Sequence, residues 1–133
     1  MARILVYNND TNRMISFDRE LDQAMPYNSG RTLTVREFRG GSASNTLWTS
    51  LRCMEAWNSF RYLYGRGIFV GFAFKRPWEG GHSRLSQHYA GLAFDAGQNL
   101  SASRKSEYEK FSVEFWDLEL CRASKSYAYM GAF

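Results

Sequence analysis

Two short stretches of alternating apolar and polar residues open the chain and predict two β-strands. The apolar positions run from Ile4 to Tyr7 and from Met14 to Phe17. Between them lies Asn8-Asn9-Asp10-Thr11-Asn12, which is rich in residues that favour turns. We therefore expect a strand, a turn and a second strand at the start of the chain.

A pattern with helical spacing follows a polar, irregular region over residues 18–42. The apolar residues on one face of this predicted helix are Leu47, Leu51, Met54 and Trp57. The small polar residues over 42–45 supply candidate N-caps, and Gly65 ends the helix. An apolar stripe of this kind usually packs into the core, and we interpret it that way.

The second half of the chain predicts two more strands and a short helix. Residues 67–74 are almost wholly apolar, and a loop rich in Gly, Pro and Ser leads from them to a second strand over Tyr89–Asp95. Ser101 is a candidate N-cap for a helix from Ala102 to about Lys110. Since no repeat or linker divides the chain, we expect one domain over residues 1–133. Its expected class is α+β, with helices packed on a small antiparallel sheet.

The composition narrows the classes of partner. Apolar residues make up 44% of the 133 residues and aromatic residues 17%, which indicates a folded domain of modest size. No run is long enough to span a bilayer, and the first residues do not resemble a secretory signal, so we expect no membrane partner and no signal peptide. The net charge of +4 favours anionic partners such as wall polymers or nucleic acids. No cluster of Lys and Arg with interleaved aromatic residues selects nucleic acid. Cys53 and Cys121 are isolated, so no disulfide framework is expected.

The most specific chemical pattern is Ser86-x-His88-x-x-Gly91-x-Ala93-x-Asp95. Imidazole nitrogen and carboxylate oxygen are both zinc ligands, and a catalytic zinc usually takes three protein ligands and one water. The plain alternative is a hydrogen-bonded core histidine followed by a turn aspartate. Both interpretations are open at the level of the pattern.

The residues fixed in this pattern, and their spacing, resemble the first zinc-binding motif of the zinc D-alanyl-D-alanine carboxypeptidase family. This family of peptidoglycan metallopeptidases has the hedgehog/DD-peptidase fold. The resemblance implies that His88 and Asp95 are the first two ligands of a Zn²⁺ ion. It also implies stem peptides of peptidoglycan as substrates, and the cell wall or the extracellular space as the place of action.

Other parts of the chain depart from the family pattern. The strand before the motif ends in S-G-Y-R in the family, whereas this chain has Val70-Gly71-Phe72-Ala73 and lacks that substrate-binding arginine. Lys75 or Arg76 is the candidate replacement, and an ordinary solvated charge is the alternative. His82 is interpreted as a rim or substrate contact, and Ser86 as a hydrogen-bonding residue near the metal. Ser86 is not interpreted as a nucleophile, because no histidine and carboxylate are spaced to activate it.

The third ligand of the family, a histidine near the C-terminal end of the domain, has no counterpart after His88. Glu114-Phe-Trp-Asp117 resembles the E-x-x-H of the family with aspartate in the ligand position. The tail over about 111–133 is atypical, and we expect it to lack the closing strand. The general acid or base is unassigned.

The genetic code suggests a cause for the atypical tail. With permitted codons, Leu118 to Phe133 read one nucleotide later gives WNYVEPVKAMPIWVHF, which resembles the closing strand of the family and carries a histidine. If the shifted frame ended in the codons CAT TTT GAT, the frame that encodes this chain would read GCA TTT TGA. These codons encode Ala132, Phe133 and a stop. We therefore expect a frameshifted tail from roughly Lys110, with a naturally divergent tail as the alternative.

With two ligands instead of three, the chain is expected to bind zinc weakly or not at all and to lack peptidase activity. Two other functions stay open on the sequence. One is a non-catalytic module that binds peptidoglycan, and the other is a basic protein that binds nucleic acid.

Overall fold

The computed structural model describes residues 1–80, 87–96, 100–104, 106–108, 110–111, 122–123 and 130–131. These residues form an α+β fold, which confirms the predicted class. The elements in chain order are β1 (Ala2–Asn8), β2 (Arg13–Arg19), α1 (Val35–Arg39), β3 (Thr46–Ser50), α2 (Leu51–Tyr64), β4 (Val70–Phe72), a first 3-10 turn (Pro77–Glu79), a second 3-10 turn (Gln87–Ala90), β5 (Ala93–Ala96), β6 (Arg122–Ala123) and β7 (Met130–Gly131). No helix in the described ranges is long and apolar enough to cross a membrane.

The first sheet has the order β2-β1-β3. Strands β1 and β2 are antiparallel and confirm the two predicted N-terminal strands, with the Asn8 side chain accepting the amides of Asp10 and Thr11 in the turn. Strand β3 runs parallel to β1, from the pair Arg3–Thr46 to the pair Tyr7–Ser50. The prediction of an antiparallel sheet is therefore wrong for the pairing of β3 with β1.

The long helix begins later than its apolar pattern predicts. Residues 46–50 form β3, because their β-branched and aromatic side chains suit a strand and the edge of β1 pairs with them. The N-cap of α2 is Ser50, whose Oγ accepts the Cys53 amide at 3.0 Å, and not a residue of 42–45. The predicted end is confirmed, since Gly65 adopts a φ of 73° and donates its amide to the Arg61 carbonyl.

A one-turn helix lies within residues 18–42, the region predicted to be irregular. The Thr34 hydroxyl accepts the Glu37 amide at 3.2 Å, and the Glu37 carboxylate accepts the Thr34 amide at 3.0 Å. This reciprocal pair is a capping box, and its T-x-x-E spacing was readable in the sequence. It fixes α1, whose buried residues are Val35 and Phe38.

The second sheet has the order β4-β5-β7-β6. The strand predicted over 67–74 is limited to Val70–Phe72, and the strand predicted over Tyr89–Asp95 is a 3-10 turn followed by β5. The tail was expected to lack the closing strand of the family; its described residues Met130 and Gly131 form the short strand β7, which pairs antiparallel with β5 through Ala93–Gly131 and Phe94–Met130. A strand edge recruits an extended segment through its amides and carbonyls, whatever the side chains are.

Aromatic side chains join the two sheets and α2 into one core. The Phe94 ring of β5 lies 4.9 Å from Trp57 of α2 and 6.3 Å from Phe38 of α1, measured between ring centroids. The described residues of 102–111 are helical, as predicted, and the Tyr108 ring packs 5.7 Å from Phe60. Burial raises the pKa of Tyr108, and the neighbouring Tyr64 raises it further, so the Tyr108 phenol stays neutral. Each buried ring contributes about 2–3 kcal/mol to folding, so β5 is firmly anchored.

Candidate metal site

The His88 imidazole is buried in the second 3-10 turn, with only 2% of the residue exposed. Its Nδ1 lies 2.6 Å from the Ala73 carbonyl oxygen. Because a carbonyl oxygen only accepts hydrogen bonds, Nδ1 carries the proton and donates it. In the neutral ring the lone pair is then on Nε2, the tautomer that metal-binding histidines adopt when a backbone carbonyl orients them.

Backbone contacts hold the segment after β4 against this histidine. The Lys75 amide donates to the His88 carbonyl at 3.3 Å, next to the Ala73 contact of the ring. The same segment is tied to α1, since the Phe74 amide donates to the Phe38 carbonyl at 3.1 Å. The position and tilt of the imidazole are therefore set by the main chain of residues 73–75.

Gly91 lets the turn after His88 rest directly on β3. Its φ is 71°, and a Cβ at this position would stand 1.8 Å from the Trp48 carbonyl oxygen and 2.8 Å from the Trp48 carbonyl carbon. The Thr49 hydroxyl donates to the Gly91 carbonyl at 2.7 Å. The glycine of the sequence motif is thus required by close backbone packing and by its left-handed conformation.

Asp95 lies in β5, four residues after Gly91. Its backbone pairs with Phe72 of β4, and its neighbours Phe94 and Ala96 are buried. The structure thus places His88 and Asp95 on consecutive elements joined by Gly91 and Leu92. The side chain of Asp95 lies outside the description, so its convergence with His88 on a metal stays a prediction.

Arg76 and Glu79 form a polar cluster beside this segment. The Glu79 carboxylate accepts the Ser42 hydroxyl at 2.7 Å, the Ala43 amide at 3.0 Å and the Arg76 amide at 2.9 Å. The Arg76 guanidinium donates to the same carboxylate at 3.2 Å and lies 5.1 Å from the centre of the exposed Trp78 ring. Glu79 therefore connects the first 3-10 turn to the loop before β3.

The pKa of Glu79 reflects these contacts. Burial alone would raise it, but hydrogen bonds from Arg76, Ala43 and Ser42 outweigh burial and lower the pKa from 4.5 to about 2. Sequence reasoning missed this residue, because its long-range partners Ser42 and Ala43 leave no local pattern. The Pro77-Trp-Glu79 start of a turn was the one available signal.

The remaining predicted site residues, His82 and Ser86, lie outside the described residues. Within the described side chains, no three or more His, Cys, Asp or Glu residues form a group that could hold a metal ion. The four residues of β6 and β7 (Arg, Ala, Met and Gly) are not zinc-ligand types either. The donor chemistry of His88 fits a zinc ligand, and the third ligand has no candidate among these residues.

Comparison with known proteins gave no match to any family model, curated protein or solved structure.

Proposed function

We propose that this chain is a domain of the zinc peptidase type that recognises peptidoglycan stem peptides, in a form that binds zinc weakly and does not hydrolyse them. His88 and Asp95 would hold the ion. The hedgehog/DD-peptidase fold is part of the same proposal, and the α+β architecture is compatible with it.

The orientation of His88 is the observation that carries the proposal. A buried histidine without a metal can form many kinds of hydrogen bond, and the bond from Nδ1 to the Ala73 carbonyl is one of them. What favours a ligand is the combination of this bond with the motif, since the bond places the lone pair of the neutral ring on Nε2, as in zinc-binding histidines oriented by a backbone carbonyl. The Gly91 turn then leads the chain straight from His88 to the strand that carries Asp95.

A zinc ion in a complete site of this kind polarises the scissile carbonyl and lowers the pKa of its water. The substrate contacts proposed for this chain are Arg76, His82 and Ser86. Arg76 is 26% exposed and already donates to Glu79, so a substrate carboxylate would share the guanidinium with that side chain. A guanidinium has five N–H donors and can serve both carboxylates.

The loss of activity follows from the ligand count. Catalytic zinc sites commonly use three protein ligands, and the motif supplies two, with no candidate for the third among the described residues. A site with two ligands holds the ion less tightly and leaves it less well positioned, so turnover should be absent even when zinc is supplied in excess.

Zinc titration against a chromophoric chelator, combined with hydrolysis of a peptide ending in D-Ala-D-Ala, tests the proposal. We expect weak, saturable binding of one zinc ion that is lost in H88N and in D95N, and no hydrolysis. The matched control is H82N, which removes the other histidine and should bind zinc like the parent chain. Binding that survives H88N, or robust hydrolysis by the chain, would contradict the proposal.

Binding to purified peptidoglycan, measured on the same protein preparation, distinguishes the zinc site from the main alternative. A non-catalytic wall-binding module would bind purified peptidoglycan equally well with and without a chelator. The proposed zinc site predicts instead that chelation weakens the binding of stem peptides.

A further inference from the structure

A cavity of about 500 Å³ lies between the end of β2 and the loop that follows it. We call it the arginine cavity, and the residues that matter for its chemistry are Arg19, Gln23, Tyr27, Asn28 and Arg31. None of them belongs to the zinc motif or to the polar cluster around Glu79.

Both arginines of the cavity keep most of their donors available. Arg19 donates to the Asp18 carbonyl at 3.1 Å, and Arg31 donates to the Asp22 carbonyl at 3.1 Å. Arg19 also lies over the Phe17 ring, 5.2 Å from its centre. A guanidinium carries five N–H donors, so these contacts use a small part of the capacity of each residue.

The neighbouring acids are engaged with other cations. Asp18 lies 4.0 Å from Arg3, and Asp22 lies 2.9 Å from Arg36. Glu20 lies 3.7 Å from the N-terminal amine. In the described part of the chain, no carboxylate is within 4.0 Å of the Arg19 or Arg31 guanidinium. Among the described residues, the two positive charges of the cavity are therefore not paired with a carboxylate.

The loop that forms the wall is held in an unfavourable backbone conformation. Tyr27 has a φ of 63° and Arg31 a φ of 52°, in the left-handed region that side chains with a Cβ avoid. Both residues line the cavity. Strain of this kind persists only where the surroundings impose it, and it clusters at binding sites.

Asn58 of α2 holds the first part of this loop, from Tyr27 to Ser29. Its Nδ2 donates to the Tyr27 carbonyl at 2.7 Å, and its Oδ1 accepts the Ser29 amide at 3.1 Å. The Asn28 side chain adds a second tie, because its Oδ1 accepts the Leu33 amide at 3.0 Å. The cavity is thus built before any ligand arrives, which lowers the entropic cost of binding.

We propose that the arginine cavity binds an oxyanion, a carboxylate or phosphate, between Arg19 and Arg31. Arginine suits this role because its planar fork matches both groups. The Tyr27 ring, 42% exposed and set edge-on against Phe17 at 5.4 Å, supplies an aromatic surface for the part of the ligand next to the anion. The site is independent of zinc and of the function proposed above.

Titration with inorganic phosphate and with acetate, at ionic strength held constant with sodium chloride, tests the site. The readout is the NMR signals of the arginine Nε–H groups and of the amides over 27–31. We expect saturable shifts, and about tenfold weaker binding in R19Q and in R31Q, because each removes a charge-assisted pair. The matched control is R13Q, which removes an exposed arginine of the same strand outside the cavity and should leave binding unchanged.

The variant N58A separates a built site from two nearby charges. It keeps both arginines and releases the loop, so it should also weaken phosphate binding about tenfold, with thermal unfolding used to confirm that the chain is folded. Shifts that do not saturate, or losses that are equal in R13Q and R31Q, would overturn the proposal. Unaltered binding in N58A would do the same.

Discussion

Gly91 and Trp48 approach so closely that the turn of the zinc motif and strand β3 are in backbone contact. A Cβ on residue 91 would stand 1.8 Å from the Trp48 carbonyl oxygen, well inside any real contact distance. The Thr49 hydroxyl adds a hydrogen bond to the Gly91 carbonyl. The orientation of the chain between His88 and Asp95 therefore depends on β3, an element far away in sequence.

The substitution G91A is expected to destabilise the protein by about 3 kcal/mol or more, because it combines overpacking against backbone with a strained φ. Urea unfolding measures this difference. The matched control is G67A, where no atom lies within 4 Å of the added methyl group. It should change the free energy of unfolding by less than about 0.5 kcal/mol. Equal stability of G91A and G67A would show that the turn does not pack on β3 as described.

The two nitrogens of His88 can be tested separately. In H88N the amide nitrogen can replace Nδ1 as donor to the Ala73 carbonyl, so most of the stability should remain while zinc binding is lost. In H88A the buried carbonyl loses its donor and a cavity forms, at a cost of about 2–4 kcal/mol. Thermal unfolding and zinc titration on the same samples check both statements. An H88N variant that is as unstable as H88A would argue against the Nδ1 contact.

Glu79 should make stability depend on pH in the acid range. Its pKa is about 2 in the folded chain and near 4.5 when unfolded, so the unfolded state binds the proton more readily. The stabilisation is complete above pH 4.5 and is lost as the pH falls from 4.5 towards 2. Because the side chain is 15% exposed, the contribution is about 1–2 kcal/mol after solvent screening.

Urea unfolding of the parent chain and of E79Q at pH 7 and pH 3 measures this effect. The difference between them should be largest at pH 7 and shrink at pH 3. The control E55Q removes a carboxylate from the exposed surface of α2, where little effect on stability is expected. A difference between the parent and E79Q that grows as the pH falls would contradict the assignment.

The hypothesis of a frameshifted tail makes two predictions, one on DNA and one on zinc affinity. The coding sequence, read one nucleotide later over codons 118–133, should give WNYVEPVKAMPIWVHF, and incompatible codons would end the hypothesis. In that reading the histidine falls at position 132, where the resemblance to the family implies the third zinc ligand. The variant A132H should therefore raise zinc affinity by at least about tenfold, and A128H serves as control.

Local signals explain which elements could be predicted from the sequence. The strands around Asn8–Asn12 and the end of α2 at Gly65 depend on turn and capping residues that act within a few positions. Strand β3 was mistaken for the start of a helix, because its conformation depends on pairing with β1. The T-x-x-E spacing of the capping box at Thr34 is a local signal for α1, within a region whose polar composition favours irregular structure.

The candidate site also combines residues that a local motif identifies with contacts that depend on packing. The motif identified His88 and Asp95, but the role of Ala73 as hydrogen-bond acceptor and the need for glycine opposite Trp48 are tertiary contacts. The partners of Glu79 and the cavity between Arg19 and Arg31 likewise bring together residues from separate segments. No spacing rule reaches these contacts, because each depends on how two elements pack.

X-ray absorption at the zinc edge of the zinc-loaded chain tests the central claim most directly. If His88 and Asp95 hold the ion, the spectrum should show one imidazole nitrogen and carboxylate oxygen at about 2.0–2.2 Å from zinc. It should show no sulfur at about 2.3 Å. The imidazole signal should disappear in H88N and persist in H82N. A sulfur ligand, or an imidazole signal that survives in H88N, would contradict the assignment of His88 as a zinc ligand.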